Sequence, residues 1–181
     1  LNTLILFTNL GNYIFLPVYK IDDQKWKDLG VYINNIVPID KQERIIKVYS
    51  IDSFNRNIQL LISTKQGQMK QFNLIDLEVT RYNRPLRAMK LTDGDQVVSV
   101  DMNQQENIIA LSKNGYALRF ETSELPLYGL TAGGVKSIAL NEDDELAYAF
   151  YAKTTDEFYM LTSRGHVIKD LVGEIPKYAR N

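Results

Sequence analysis

Short apolar runs separated by polar turns set the rhythm of the chain. "LILFTNLG" (4–11), "LLISTKQG" (60–67), "IIALSKNG" (108–115) and "FYMLTSRG" (158–165) each place apolar residues before Ser or Thr, two further residues and Gly. Runs rich in β-branched and aromatic residues and bounded by turn residues predict strands. A second apolar run follows each glycine, so each motif predicts a hairpin. In "ALSKNGYALRF" (110–120) the pair Asn114-Gly115 suggests a two-residue type I′ turn. Further strands are predicted in "ERIIKVYSI" (43–51), "QVVSVDM" (96–102) and "LAYAFYA" (146–152), preceded by the polar turns "DKQ" (40–42), "TDGD" (92–95) and "NEDDE" (141–145). No stretch of ten or more residues keeps a helical period. "DDQKWKDLG" (22–30) predicts at most a short helical turn.

The hairpin motif repeats at a nearly fixed interval. Gly11, Gly67, Gly115 and Gly165 are 56, 48 and 50 residues apart. "SELPLYG" (123–129) returns as "GEIPKYA" (173–179), and a third anchor runs through "LGVYINNI" (29–36), "PLRAMKL" (85–91) and "GGVKSIAL" (133–140). Three anchors in one register indicate a repeat architecture. About four strands per ~50 residues is the content of a propeller blade. The expected fold is all-β: a propeller-like array of antiparallel four-stranded blades, three complete and part of a fourth, in units 1–57, 58–106, 107–156 and 157–181. A solenoid of stacked strands is the alternative, since repetition protects sheet edges in both.

Bulk properties narrow the class. The chain has 181 residues, 45% of them hydrophobic, with mixed charges, which fits one globular domain rather than a disordered segment. No apolar run approaches the ~18 residues of a membrane span, and there is no secretory signal. The chain contains no cysteine, which removes disulfides, thiol nucleophiles and thiolate metal sites. It does not begin with Met, and its last repeat stops soon after the second anchor, so a piece of a longer chain is expected. A chain without cysteine suits a reducing cytoplasm.

Charge then points to candidate chemistry. The formal net charge is −1, which alone argues against nucleic acid. Distribution matters more than the total. Between Lys65 and Lys90 stand six basic residues and two acidic ones. Lys70, Arg119 and Lys169 follow their turn glycines by three, four and four positions, and Lys65, Lys113 and Arg164 lie inside the turns. Hairpins of one type should present their turns on one side of the array. A cation at each turn would then form a curved belt suited to a bent phosphate backbone. Lys65, Lys70, Arg84, Arg87, Lys113, Arg119, Lys136, Arg164 and Lys169 are the expected phosphate contacts, with Arg81 and Lys90 in second rank.

Other candidate chemistry is thin. His166 is the only histidine and has no Cys or His partner for a metal site or triad. "NEDDE" lacks calcium-loop spacing and is expected to be a solvated turn. Trp26 is expected in the core or capping the first blade. The glycines serve turns rather than a phosphate cradle, since none opens a helix after a strand.

The repeated T/S-x-x-G hairpin, the basic or aromatic pair after it and the later G-V-K-like strand resemble the C-terminal domain of bacterial type IIA topoisomerase A subunits, those of gyrase and topoisomerase IV. The resemblance covers essentially the whole chain. "WKDLG" (26–30), "TRYNRPLRAMKLTDGD" (80–95) and "GLTAGGVKSI" (129–138) look most like the topoisomerase IV branch. The resemblance implies a β-pinwheel, whose blades exchange a strand with their neighbours and whose basic rim binds and bends double-stranded DNA without sequence preference. It implies no catalysis and no cofactor in this chain. Mg and ATP would be used elsewhere in the parent enzyme, whose B subunit would meet other parts of the parent chain. The cleavage tyrosine of that family follows an arginine on another domain, so Tyr82, in "TRYN" (80–83), is expected to be a strand or rim tyrosine. Gyrase carries a Q-R-R-G-G-K-G box for wrapping DNA. Its nearest match here, "LTAGGVK" (130–136), lacks the paired arginines, which favours the relaxing and decatenating branch during chromosome segregation over the wrapping one. Outside that family, a protein-binding propeller predicts a mixed rim without salt-sensitive DNA affinity. A propeller enzyme predicts inward carboxylates or histidines repeated between blades, and the sequence has none.

Overall fold

The structure, a computed structural model, describes residues 2–179. In the first unit β1 (Thr3–Thr8) and β2 (Asn12–Pro17) form a hairpin, and β3 (Ile45–Ile51) lies on the other edge of β1. The second unit contains the hairpin β4 (Gln59–Thr64) and β5 (Gln68–Asn73), the two-residue strand β6 (Leu86–Arg87), and β7 (Val97–Asp101). The third repeats this with β8 (Asn107–Ser112), β9 (Ala117–Glu121), β10 (Val135–Lys136) and β11 (Leu146–Ala152). A last hairpin joins β12 (Glu157–Leu161) and β13 (Val167–Leu171).

The sheets have the orders β3-β1-β2-β6, β10-β5-β4-β7, β11-β8-β9 and β12-β13. The short strands cross between units. β6 follows β5 in the chain yet pairs with β2, placing Leu86 opposite Tyr13 and Arg87 opposite Asn12. β10 follows β9 yet pairs with β5, placing Val135 opposite Met69 and Lys136 opposite Gln68. The first two blades are therefore completed by a strand of the following unit, which is the exchange expected of a β-pinwheel. Among the described residues β9 has no such partner.

The turn glycines register the same difference. A Cβ on Gly11 would lie 2.5 Å from Met89 O and one on Gly67 2.8 Å from Ile138 Cγ2, whereas one on Gly115 would meet open space. The turn itself differs from the expected type I′, which needs positive φ at two residues. Only the glycine has it: Gly115 has φ 91 and no non-glycine residue is positive among the described residues. Each turn closes from the glycine N–H to the carbonyl three residues earlier, at 3.2 Å for Gly11 to Thr8, 3.0 Å for Gly67 to Thr64 and 3.1 Å for Gly115 to Ser112. The Ser or Thr hydroxyl then accepts the N–H that follows the glycine: Asn12 to Thr8, Gln68 to Thr64, Tyr116 to Ser112 and His166 to Thr162, at 3.1–3.3 Å. A left-handed glycine and a hydroxyl acceptor are what T/S-x-x-G encodes.

The core lies between successive sheets. Ile5, Phe7 and Tyr13 of the first sheet pack with Leu60, Ile62, Phe72 and Val100 of the second, and Leu61 and Met69 pack with Ile108, Phe120 and Ala149 of the third. Buried polar groups bridge the same gaps. Tyr151 Oη donates to Gln71 Oε1 at 2.7 Å and Ser99 Oγ donates to Ala149 O at 3.1 Å.

The first unit departs from its repeat. The "LGVYINNI" anchor carries no strand; it holds a four-residue helix, α1 (Ile33–Ile36), whose isoleucines pack on Leu6, Ile14 and Leu16. β6 and β10 each pair with the hairpin one unit earlier, and no described hairpin precedes β1 to receive this segment. Within 22–30 there is one hydrogen-bonded turn, with Asp28 N–H donating to Lys25 O at 2.8 Å and Lys25 N–H donating to Asp28 Oδ2 at 2.9 Å. Trp26 is not in the core. It is 89% exposed, with Lys27 Nζ 5.3 Å from its ring.

Candidate nucleic-acid interface

One edge of the array is built from the hairpin turns and the residues just before β3, β7 and β11. Asn9 N donates to Arg44 O, Lys65 N to Gln96 O and Lys113 N to Glu145 O, at 2.8–3.0 Å. The units are stitched together here as well: Val97 N donates to Asn9 O and Leu146 N to Lys65 O, both at 2.8 Å. A buried acid braces each of the first three turns. Glu43 Oε1 accepts from the Thr8 hydroxyl and Asn12 Nδ2, Asp95 Oδ1 from the N–H groups of Gln66 and Gln96, and Asp144 Oδ1 from those of Asn114 and Glu145. Burial would raise the Asp144 carboxyl, but the Ser112 hydroxyl and these backbone donors hold it below its usual range. "NEDDE" is therefore not simply a solvated turn; Asp144 is a turn brace and Glu145 an ion-pair partner.

The cations of this edge differ in freedom. Lys65 is half-buried and, with Arg44, lines a groove of about 370 Å3 that includes Asn9 and Gln96. Lys113 is paired with Glu145 at 2.5 Å, and both side chains stay about half exposed. Arg164 is exposed in its turn. Arg44 is not among the cations that the sequence pattern singles out. Its signal is position: it follows a bracing acid, as Gln96 and Glu145 do.

The residues three and four after each glycine do not form the expected belt. Lys70 is wholly buried (0% exposed), and its Nζ donates to Gly129 O, Leu130 O and Ala132 O at 2.8–3.0 Å. Burial pushes its pKa down to about 8. It cannot touch a phosphate. Arg119 is half-buried and turns toward the next unit, Nε donating to Ile175 O at 2.9 Å. Gln71, its equivalent one unit earlier, donates to Leu125 O and Thr122 O. Lys169 is exposed but paired with Glu157 at 2.9 Å, and that pairing raises its pKa. Alternation puts Lys70 and Arg119 on opposite faces of equivalent strands, since Arg119 matches Gln71, but both faces are covered because successive sheets pack on one another.

The exchanged strands carry the clearer recurrence. Arg87 and Lys136 are each the second residue of a two-residue strand, stand opposite Asn12 and Gln68, and are exposed. Arg81, Arg84 and Lys90 are exposed on the same segment as Arg87. Among the described residues none of Arg81, Arg84, Arg87, Lys90 and Arg164 has a carboxylate within 4 Å. Tyr82 lies between them, half-buried against Phe15 at 5.2 Å with its hydroxyl 3.2 Å from that of Tyr19. His166 is exposed, and no group of three or more His, Asp or Glu residues able to hold a metal ion occurs among the described residues.

Residues 2–52, 59–103 and 106–153 match the family model for the DNA gyrase C-terminal domain, beta-propeller. Relatives include the A subunits of DNA topoisomerase 4 from Staphylococcus epidermidis, 37% identical over 165 residues, and from Staphylococcus aureus, 36% identical over 165 residues. Each alignment covers 91% of this chain and 21% of the relative, so the chain spans about a fifth of their length. The crystal structure of the C-terminal domain of DNA topoisomerase IV superposes with a TM-score of 0.78 at 29% identity, covering 99% of this chain and 72% of that one. The DNA gyrase A C-terminal domain superposes with a TM-score of 0.79 at 23% identity over 99% of this chain and 57% of its own, a likeness of fold.

Proposed function

Because the chain belongs to the DNA gyrase C-terminal β-propeller family, we propose that it is the DNA-binding and DNA-bending domain of a topoisomerase IV A subunit. One observation carries the reading. Arg87 and Lys136 recur at the same position of consecutive exchanged strands, both exposed, in a chain whose net charge is −1. Repetition on successive blades spaces cations along an edge, and cations along an edge contact phosphates for position rather than sequence.

Arg81, Arg84, Arg87, Lys90 and Lys136 form the principal contact set, with Lys65, Arg164 and Arg44 on the turn edge. Lys113 and Lys169 contribute less, since each already has a carboxylate. A duplex following the edge bends with it, and the bend is offset by the added phosphate contacts. The chain performs no bond chemistry in this reading. It holds a DNA segment for the ATP- and Mg-dependent parts of the parent, which relax and decatenate DNA together with a B subunit in the bacterial cytoplasm, at the nucleoid. The topoisomerase IV branch is favoured over gyrase by the relatives at 36–37% identity and by "LTAGGVK", which has no paired arginines. Duplex binding measured across a salt series tests the reading: steep salt dependence is expected, and salt-independent or absent binding contradicts it.

A further inference from the structure

Lys70 is a buried cation that contacts no carboxylate. It lies on β5 opposite Ile62, and no carboxylate is within 4 Å of its Nζ among the described residues. The ring of Phe72 is 5.7 Å away. Three carbonyls, those of Gly129, Leu130 and Ala132, receive its three N–H donors. The loop 129–132 is thus wrapped round one ammonium. The Ala132 carbonyl is shared, because it also accepts the backbone N–H of Lys90 at 3.1 Å. The chain then passes tightly between neighbours: a Cβ on Gly134 would lie 2.6 Å from Met69 O and 2.7 Å from Met89 Cε. Directly after it come Val135 and Lys136 of β10. One buried ammonium therefore anchors the loop that joins Lys90 of the second unit to Lys136 of the third.

We propose that Lys70 is a positioning residue for the DNA interface, setting the relative placement of Lys90 and Lys136 through the loop 129–134 without touching DNA itself. The inference rests on the DNA-binding reading above.

The test compares Lys70→Met with the wild-type chain, in a wild-type background and in a Lys90→Ala/Lys136→Ala background, by duplex binding across a salt series and by amide exchange. In the wild-type background Lys70→Met lowers affinity at low salt by about tenfold and makes the log-log salt slope shallower by about 1 to 2. In the double-alanine background it changes neither, because the cations it places are gone. Amide protection at 129–134 falls in the variant. Rescue is specific: the chain has no cysteine, so Lys70→Cys alkylated with bromoethylamine in denaturant and refolded regains an ammonium at that one site, and with it affinity, slope and protection. A folded Lys70→Met chain with wild-type affinity and slope overturns the proposal, as does an equal loss in both backgrounds. If Lys70→Met does not fold, Lys70→Arg replaces it; its displaced donors should give the same shallower slope, and a wild-type slope overturns the proposal. Failure of the underlying reading is recognised separately, since a wild-type chain without salt-dependent duplex binding overturns it before any variant is made.

Discussion

Arg119 Nε donates to the carbonyl of Ile175 across 2.9 Å, and Gln71 Nε2 donates to Leu125 O one unit earlier. Ile175 and Leu125 each precede a proline in the repeated anchor, so the two bonds are the same joint made twice. The backbones meet at the same place, in isolated parallel bridges between Arg119 and Lys177 and between Gln71 and Leu127. A basic residue after the turn glycine is here a fastener between units.

Removing that fastener should cost stability and leave DNA binding electrostatics alone. Arg119→Ala leaves the Ile175 carbonyl without its side-chain donor and should destabilise the chain by about 1–2 kcal/mol in urea unfolding. Its salt slope for duplex binding should match that of the wild type.

The glycines of equivalent turns should not tolerate substitution equally. Gly67→Ala and Gly115→Ala both place a side chain at positive φ, 83 and 91, at a shared cost of about 1 kcal/mol. Gly67→Ala in addition drives its Cβ to 2.8 Å from Ile138 Cγ2 and 3.1 Å from Ile138 O, while Gly115→Ala meets nothing. Thermal melts should therefore show Gly67→Ala less stable than Gly115→Ala by about 1–3 kcal/mol. Equal losses would mean that the exchanged segment does not cover Gly67.

Lys70 should leave a signature in the pH dependence of stability. Burial lowers its folded pKa to about 8 from an ordinary value of 10.5. Between those values the unfolded chain binds more protons than the folded one, so stability rises with pH through this window, by up to about 3 kcal/mol. The buried tyrosines act in the opposite direction and later. Burial raises Tyr13 to about 12 and raises Tyr49 and Tyr151 as well, which keeps their hydroxyls neutral in the fold. Each therefore contributes its stability in full below about pH 10, and that stability is lost as pH rises from there toward the raised folded pKa. Urea midpoints from pH 8 to 9.5 should climb in the wild type and stay flat in Lys70→Met.

Much of the architecture is legible because it repeats. A hydroxyl and a glycine at fixed spacing announce each hairpin, and the ~50-residue register of three anchors announces the blades. Asn114-Gly115 misleads about the turn type because the bracing acid and the Ser112 hydroxyl select a longer turn with one left-handed residue. The exchanged pairing of β6 with β2 is not written in periodicity, since a two-residue strand has no alternation to read; family resemblance alone implies it. The site is harder to read. Spacing from the glycine locates Lys70 and Arg119 on opposite faces of their strands but does not show that neighbouring units cover both faces. Arg87 and Lys136 stand out in the sequence only as basic residues; their shared place opposite Asn12 and Gln68 shows them to be equivalent.

The central claim is that exposed cations on the exchanged strands, not those after the turn glycines, meet DNA. Its most direct test is the log-log salt slope of binding to a short duplex for the wild type, for Arg87→Ala/Lys136→Ala and for Arg119→Ala. With about five phosphates neutralised the wild-type slope should be about −4.5, the double variant should be shallower by about 1.8, and Arg119→Ala should be unchanged. A double variant with the wild-type slope, or an Arg119→Ala chain that loses as much as the double variant, would contradict it.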